Sequence, residues 1–429
     1  MQYIWCHRLW LQPDMVTTDG RPVQVLDPGR LNTDSGPDFF NAKVAIGGDM
    51  WVGNVEIHVR ASDWHRHGHD GDPAYDNVIL HVVDVDDAVI TIHDGDPLPQ
   101  LRMPCSTELN RHYSALVGNA ARIDGVSCGT EIGAIDRIYI RDWLDALALE
   151  RLNEKADRVA HYLKLCRGDW DQAAFATVAR SFGSGINGDM FERLALSVPL
   201  NAAGRHRDRP EMVDALLFGQ SLLLDTAPAG EYADMLRREY AFLCSKFGLV
   251  RPEGMLWKMA RMRPANFPHR RVAQLSRVVQ KSTRFLTAAV AAARSSDPCE
   301  AVRRWLDVAP NGFWTDHYTF ADPGAPAAPQ VMSRGTLLSV VINAIVPLAY
   351  AYGLAHSDYD LADRAVDLMQ TLPAESNGIV RMFQSAGVAC SCAADTQAVI
   401  QLRRSYCEQR KCLYCRIGHR VLAGKARRR

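Results

Sequence analysis

The stretch Gly36–Val83, GPDFFNAKVAIGGDMWVGNVEIHVRASDWHRHGHDGDPAYDNVILHVV, decides the fold class. Ala42–Ile46 and Trp51–Arg60 are short runs rich in β-branched and aromatic residues. They flank Gly47-Gly48, and the pattern predicts two strands joined by a tight turn. Val78–Val85 predicts a third strand, reached through the polar segment Ser62–Asn77, which holds a helix or an ordered loop. Further out, Val23–Leu26 and Ala88–His93 have the same texture, and Tyr3–Trp10 predicts a short helix ahead of them.

Past about Ile135 the apolar period changes. Trp143, Leu147, Leu152, Ala156, Val159 and Leu163 recur at helical spacing and predict one long helix. Helical stretches continue at Asp171–Phe182, Met190–Val198, Met212–Leu224, Tyr232–Phe247, His269–Val290, Ala301–Val308, Leu337–Tyr352, Tyr359–Leu372 and Thr396–Tyr406. Asp322–Gln330, DPGAPAAPQ, predicts a loop or linker. The expected class is α+β: a small N-terminal mixed α/β domain over 1–130, then a large all-α domain over 131–429. A chain of 429 residues has room for about two to four domains.

With 47% hydrophobic and 23% charged residues the chain is neither disordered, collagen-like nor a coiled coil. The N-terminal MQYIWCHRLWLQ lacks the basic and apolar regions of a signal peptide, and the 11 cysteines are an odd, scattered set. A cytoplasmic protein is expected, in a reducing compartment. Gly335–Ala355 carries no charge and is long enough to span a bilayer, but Ser339, Asn343 and Pro347 favour a buried helix and no membrane partner.

The formal charge balances, with 49 basic and 49 acidic residues, but its distribution does not. Residues 1–130 hold 9 Lys/Arg against 18 Asp/Glu, with 8 of the 14 histidines. Residues 251–281 hold 8 Lys/Arg against one acid, and residues 401–429 hold 10 against one. An acidic, His-rich domain beside basic helical surfaces suits a metal site facing a polyanion. Charges that pair between domains or are simply solvated explain the same counts.

Asp38 opens one expected strand, and Glu56 and His58 lie two apart on the next, so both point to one face. Two carboxylates and an imidazole on adjacent strands can share a divalent ion: Mg²⁺ by the oxygens, Mn²⁺ or Zn²⁺ if histidine takes part. A satisfied polar network at a sheet edge is the structural alternative. His65, His67 and His69 alternate ahead of Asp70, Asp72 and Asp76, and His81 lies in the third strand. Each is a ligand candidate or a polar loop residue. Asp63, in Ser62-Asp63-Trp64, is expected to cap a helix.

These residues resemble the PD-(D/E)XK nuclease superfamily, with Pro37-Asp38 as its first element and Glu56-Ile57-His58 as its second. The resemblance implies a catalytic Asp38, Glu56 and His58, with Mg²⁺ or Mn²⁺ at Asp38 and Glu56. The departure is His58 where that superfamily carries lysine. A histidine there either orients and deprotonates water or marks a core that has lost cleavage.

Near the end, Cys407, Cys412 and Cys415 form C-x4-C-x2-C, a spacing that binds Zn²⁺ or an iron–sulfur cluster, or leaves three unmetallated thiols. Cys390, Cys392, His419 and Cys6 are candidate fourth ligands. Cys6 with the C-terminal three resembles the layout of iron–sulfur nucleases of recombination and CRISPR adaptation. Arg261, Arg263, Arg270 and Arg271, around Phe267, are candidate nucleic-acid contacts, or else arginines that cap helices.

Taken whole, the chain is similar to a large bacterial family catalogued as domain of unknown function twenty-eight fifty-one. The likeness is carried by GPDF at 36–39, VEIH at 55–58, SDW at 62–64 with His67 and His69, and VILHVV at 78–83. In the helical part it is carried by RPANFP at 263–268, Tyr406-Cys407, KCLYC at 411–415 and Ile417-Gly418. It implies kinship and no activity. Three functions are weighed: a metal-dependent phosphodiesterase acting on nucleic acid, a non-catalytic nucleic-acid or protein-binding scaffold on a degenerate nuclease core, and a Zn-dependent hydrolase of a small substrate.

Overall fold

Gly47 and Gly48 both take positive φ, 65° and 103°, which only glycine adopts without cost, and they close a two-residue hairpin between Ile46 and Asp49. Around that hairpin a computed structural model describes the whole chain except residues 11–13, 33, 93–94, 105–106, 121–124, 261, 263–265, 310–311, 322–331 and 427–429. The chain divides into two compact units, Met1–Ile140 with Arg404–Arg429, and Arg141–Arg403. The C-terminal cysteine segment, expected to end the helical domain, is therefore part of the first unit.

The first unit is built on a seven-stranded mixed sheet: β1 (Met15–Val16), β2 (Pro22–Asp27), β3 (Arg30–Leu31), β4 (Phe39–Ile46), β5 (Asp49–Arg60), β6 (Val78–Val85) and β7 (Gln100–Arg102). The order is β1-β2-β4-β5-β6-β7, with β3 paired to β4. Pairings up to β5 are antiparallel, whereas β5–β6 and β6–β7 are parallel. A parallel step needs a crossover, and residues 61–77 supply it with α2 (Asp63–Arg66) and two short 3₁₀ turns. An isolated antiparallel bridge between Thr17 and Leu101 brings the sheet's first and last strands together.

The β6 run VILHVV is buried along its first six residues, as a central strand covered on both faces must be. Its close approach to β5 depends on Gly53, where a Cβ would overlap the Ile79 side chain and the Asn77 carbonyl. The core joins Trp5 of α1 (Gln2–Cys6) to Phe39, Val44, Val55, Leu80, Val82 and Leu101. A smaller cluster of Trp64, Tyr75, Val78, Ile90 and Leu98 anchors the crossover.

Two expectations need correction here. Ala88–His93 is not a ladder strand: its described residues carry only the bridge Thr91–Pro97, because the chain turns back with Ile92 N–H donating to Asp96 O at 3.0 Å. The expected helix His269–Val290 is two, Pro268–Lys281 and Phe285–Arg294. Ser282 is extended at the break, and its hydroxyl accepts the Arg284 N–H at 3.0 Å, offering the backbone an alternative to the helix. The Asp322–Gln330 loop lies outside the described residues.

The second unit is helical, with Phe175, Phe218, Leu236, Phe285, Trp314 and Ile345 fully buried in its core. Arg334–Ala355 is long and apolar enough to cross a membrane by length and composition, and most of it is buried in that core. Its middle, Val341–Ile345, is a π-turn. Pro347 has no N–H for the carbonyl of Asn343 four residues back, and the helix widens there instead of breaking.

Candidate metal centre

The β5–β6 pairing sets Glu56 beside His81, and the alternation along β5 puts Glu56 and His58 on one face. The crossover then folds back over that face. Trp64, 2% exposed, plugs the small core under α2, and Tyr75 stacks on the His69 ring with centroids 3.8 Å apart. That packing delivers His67 and His69 to the sheet residues.

The result is a compact donor set. One nitrogen each of His58, His67 and His69 lie within 4.8 Å of one another. His58 Nε2 is 3.1 Å from His67 Nδ1 and 3.4 Å from Glu56 Oε1, and His69 Nε2 is also 3.4 Å from Glu56 Oε1. Behind them His58 Nδ1 meets His81 Nε2 at 2.9 Å, which fixes the ring and leaves Nε2 facing the other imidazoles.

Asp38 and Glu56 tie the two strands together: Asp38 N–H donates to Glu56 Oε2 and Ile57 N–H to Asp38 Oδ2, both at 3.0 Å. The second Asp38 oxygen accepts from Gln2 Nε2 at 2.6 Å. Asp38 therefore holds strands β4 and β5 in place, while Glu56 keeps Oε1 for the imidazoles.

Burial dominates the electrostatics. It pushes His58 down to about 3, helped by His81, His69 and His67, and His81 down to about 4, and it lowers His69 as well. The same burial, with the Asp38 charge beside it, raises the Glu56 carboxyl to about 8. At neutral pH His58 and His69 are neutral, as metal ligands must be, and Glu56 holds a proton.

The residues fit an ion. His69 Nε2 is buried with no hydrogen-bond partner among the described residues, a cost that a metal bond would remove. Three imidazoles and one carboxylate suit Zn²⁺ or Mn²⁺ better than Mg²⁺, which prefers oxygens and retained water.

The remaining sequence candidates fall elsewhere. His65 pairs with Asp70 at 2.8 Å on the exposed side of the crossover. Asp63 sits inside α2 rather than capping it, accepting from Arg60 N–H at 3.2 Å and pairing with Arg66 at 2.8 Å. Arg270 is buried, donating to the carbonyls of Trp314 and His317, and Arg271 donates to Gln274 and Asn266. These two serve the helical unit's own packing, while Arg261 and Arg263 lie outside the described residues. Cys407, Cys412 and Cys415 are buried in the first unit. Of the candidate fourth ligands, Cys390 and Cys392 belong to the second unit, and His419 Nδ1 meets Tyr3 OH at 2.9 Å.

His67 and His69 are the residues that sequence reasoning left among loop candidates. Their signal was the His-x-His spacing right after a strand carrying Glu56-x-His58. No curated protein and no solved structure matches the chain. Residues 1–378 match the family described as "Protein of unknown function (DUF2851)", and the chain belongs to that family.

Proposed function

We propose that the first unit is a metal-dependent hydrolase of phosphodiester bonds, its ion held by His58, His67 and His69. The observation that carries the proposal is the convergence of three imidazoles within 4.8 Å beside a buried carboxyl group. A bound Zn²⁺ or Mn²⁺ would lower the pKa of a water and neutralise charge on a phosphoryl group.

The chain's own residues have defined parts. His81 holds the His58 ring, Trp64 and Tyr75 hold His69, and Asp38 fixes the strand carrying Glu56. Glu56, protonated at neutral pH in the metal-free site with its carboxyl raised to about 8, would ionise beside a bound cation and then take the proton of the attacking water. His67 is exposed and keeps the site open to substrate. A phosphodiester is favoured by the resemblance of Pro37-Asp38 and Glu56-Ile57-His58 to the nuclease motif, with Asp38 bracing the strand instead of holding the ion. A small-substrate zinc hydrolase is the second reading, supported by Arg270 and Arg271 being used inside the helical unit.

The test is cleavage of single- and double-stranded DNA and RNA, beside bis-nitrophenyl phosphate and a carboxylic ester, with chelated protein given Mn²⁺ or Zn²⁺. Nucleic-acid cleavage lost in His69→Ala supports the proposal. Turnover of the ester alone moves the assignment to the small-substrate hydrolase. Binding of nucleic acid with no hydrolysis of any substrate points to the scaffold.

A further inference from the structure

The segment Arg404–Arg429 returns to the first unit after the whole helical unit has intervened in sequence. Its inner side is apolar. Cys407, Cys412, Cys415 and Ile417 are buried, and Val421 and Leu422 of the helix Arg416–Ala426 join the core of the sheet unit. The residues between them are turned outward, and they are cationic. Residues 404–420 hold five Lys/Arg, at 404, 410, 411, 416 and 420, against one acid, Glu408.

Backbone bonds fix this stretch as a knuckle. Arg410 N–H donates to Cys407 O at 3.1 Å, Lys411 N–H to Tyr406 O at 2.9 Å and Tyr414 N–H to Lys411 O at 3.1 Å. Gly418 lets the helix start against it, since a Cβ there would overlap the Cys412 carbonyl. Arg410 sits at φ 56°, left-handed backbone that glycine or asparagine adopts at lower cost, so a cation is kept there against the backbone's preference. Arg404, Arg410 and Lys411 are exposed, and their side chains have no hydrogen bond or ion pair among the described residues, although residues 1–130 offer 18 Asp/Glu. Arg420 is exposed as well. Its guanidinium lies 3.6 Å from the centroid of the Tyr139 ring, which holds it flat while its N–H groups bond to no described residue. Between these cations Tyr414 is 60% exposed, and its ring stacks on no described residue.

We infer that this knuckle is a binding surface for single-stranded nucleic acid, with Arg404, Arg410, Lys411 and Arg420 taking phosphates and a base stacking on Tyr414. Unpaired cations supply affinity by displacing the counterions of the phosphates, and an exposed ring among them offers a π-face that any base can use. A base that stacks on a side chain must be out of a duplex, so a single strand fits the surface better than a double one. An anionic membrane would engage the same cations but has no base for Tyr414. The inference rests on the reading of the first unit as acting on nucleic acid, and it uses none of the residues of the histidine site.

The full chain, held in chelator so that nothing is cleaved, is titrated with fluorescently labelled single-stranded DNA and RNA, with the matching duplex and with phosphatidylserine vesicles, each at several salt concentrations. Four phosphate contacts on a single strand predict a slope of log affinity on log salt of about −3. Arg410→Asn with Lys411→Gln should flatten that slope by about 1.4, two contacts at about 0.7 each. Tyr414→Ala should weaken binding at least about fivefold, and Tyr414→Phe should restore it. Lys164→Gln with Arg238→Gln removes the same charge from exposed sites of the helical unit and should leave affinity and slope unchanged. Single strands that do not bind at low salt, duplex or vesicles bound as tightly as the single strand, or an affinity indifferent to the Arg410/Lys411 and Tyr414 variants overturns the inference. Metal-restored protein separates it from the hydrolase reading. Cleavage and wild-type affinity persisting in the Arg410→Asn/Lys411→Gln protein overturns the knuckle alone, whereas knuckle-dependent binding without cleavage overturns the hydrolase alone.

Discussion

Replacing Glu56 with glutamine isolates the most strained ionisation in the candidate site. The Glu56 carboxyl rises from 4.5 to about 8, first by burial and then by the Asp38 charge. At roughly 1.4 kcal/mol per tenfold change in proton affinity, ionising it in the metal-free fold costs about 5 kcal/mol. The folded state then holds a proton that the unfolded chain has released. The stability from this group is complete below 4.5 and is lost as pH climbs toward 8. Between pH 6.5 and 8 the metal-free first unit should lose about 2 kcal/mol from this source.

His58 acts in the opposite sense. Its folded pKa falls from 6.5 to about 3, so its contribution is lost as pH falls through that window. His81, whose folded value falls to about 4, acts in the same sense as His58, so stability of the metal-free unit peaks near pH 6.5. Hydrogen exchange of β5 and β6 amides in chelator reads this unit separately from the helical one. Wild type should show the alkaline loss, Glu56→Gln should not, and Zn²⁺ should abolish the loss in wild type. Parallel pH profiles for wild type and Glu56→Gln would refute the reasoning.

Other perturbations test the scaffold. Trp64→Ala empties a site 2% exposed and should cost about 3–5 kcal/mol, measured by thermal unfolding, and it should weaken metal affinity by freeing His69. Gly53→Ala forces the new methyl into Ile79 and the Asn77 carbonyl, so denaturant unfolding should show a loss of about 1–3 kcal/mol. In the helical unit Asp214 accepts from Tyr232 OH at 2.9 Å and from Ser276. Asp214→Asn sets an amide NH₂ against one of those donors and should destabilise by about 2–3 kcal/mol in urea, without touching metal content.

The strands β4, β5 and β6 were legible because turn glycines and β-branched runs agree locally, and Glu56 and His58 because period two puts them on one face. The hairpin falls where Gly47-Gly48 stands. β7 has only three residues and no pattern of its own, and its place is set by pairing with His81, Val82 and Val83. Ala88–His93 has strand composition, yet Ile90 is buried beside Trp64 instead of entering the sheet. Local propensity cannot distinguish those two uses of an apolar residue.

His67 and His69 were visible as a spacing but not as neighbours of Glu56, since a crossover's path depends on packing. Arg270 shows the opposite failure: a basic stretch looked like a phosphate surface, but this guanidinium is buried on two carbonyls.

Crystals of chelated protein resupplied with Zn²⁺ and measured at the zinc absorption edge test the central claim most directly. The account predicts an anomalous peak about 2.0–2.1 Å from a nitrogen of each of His58, His67 and His69, with Glu56 Oε1 facing it. A fully metal-loaded protein with no peak among those three imidazoles would contradict it.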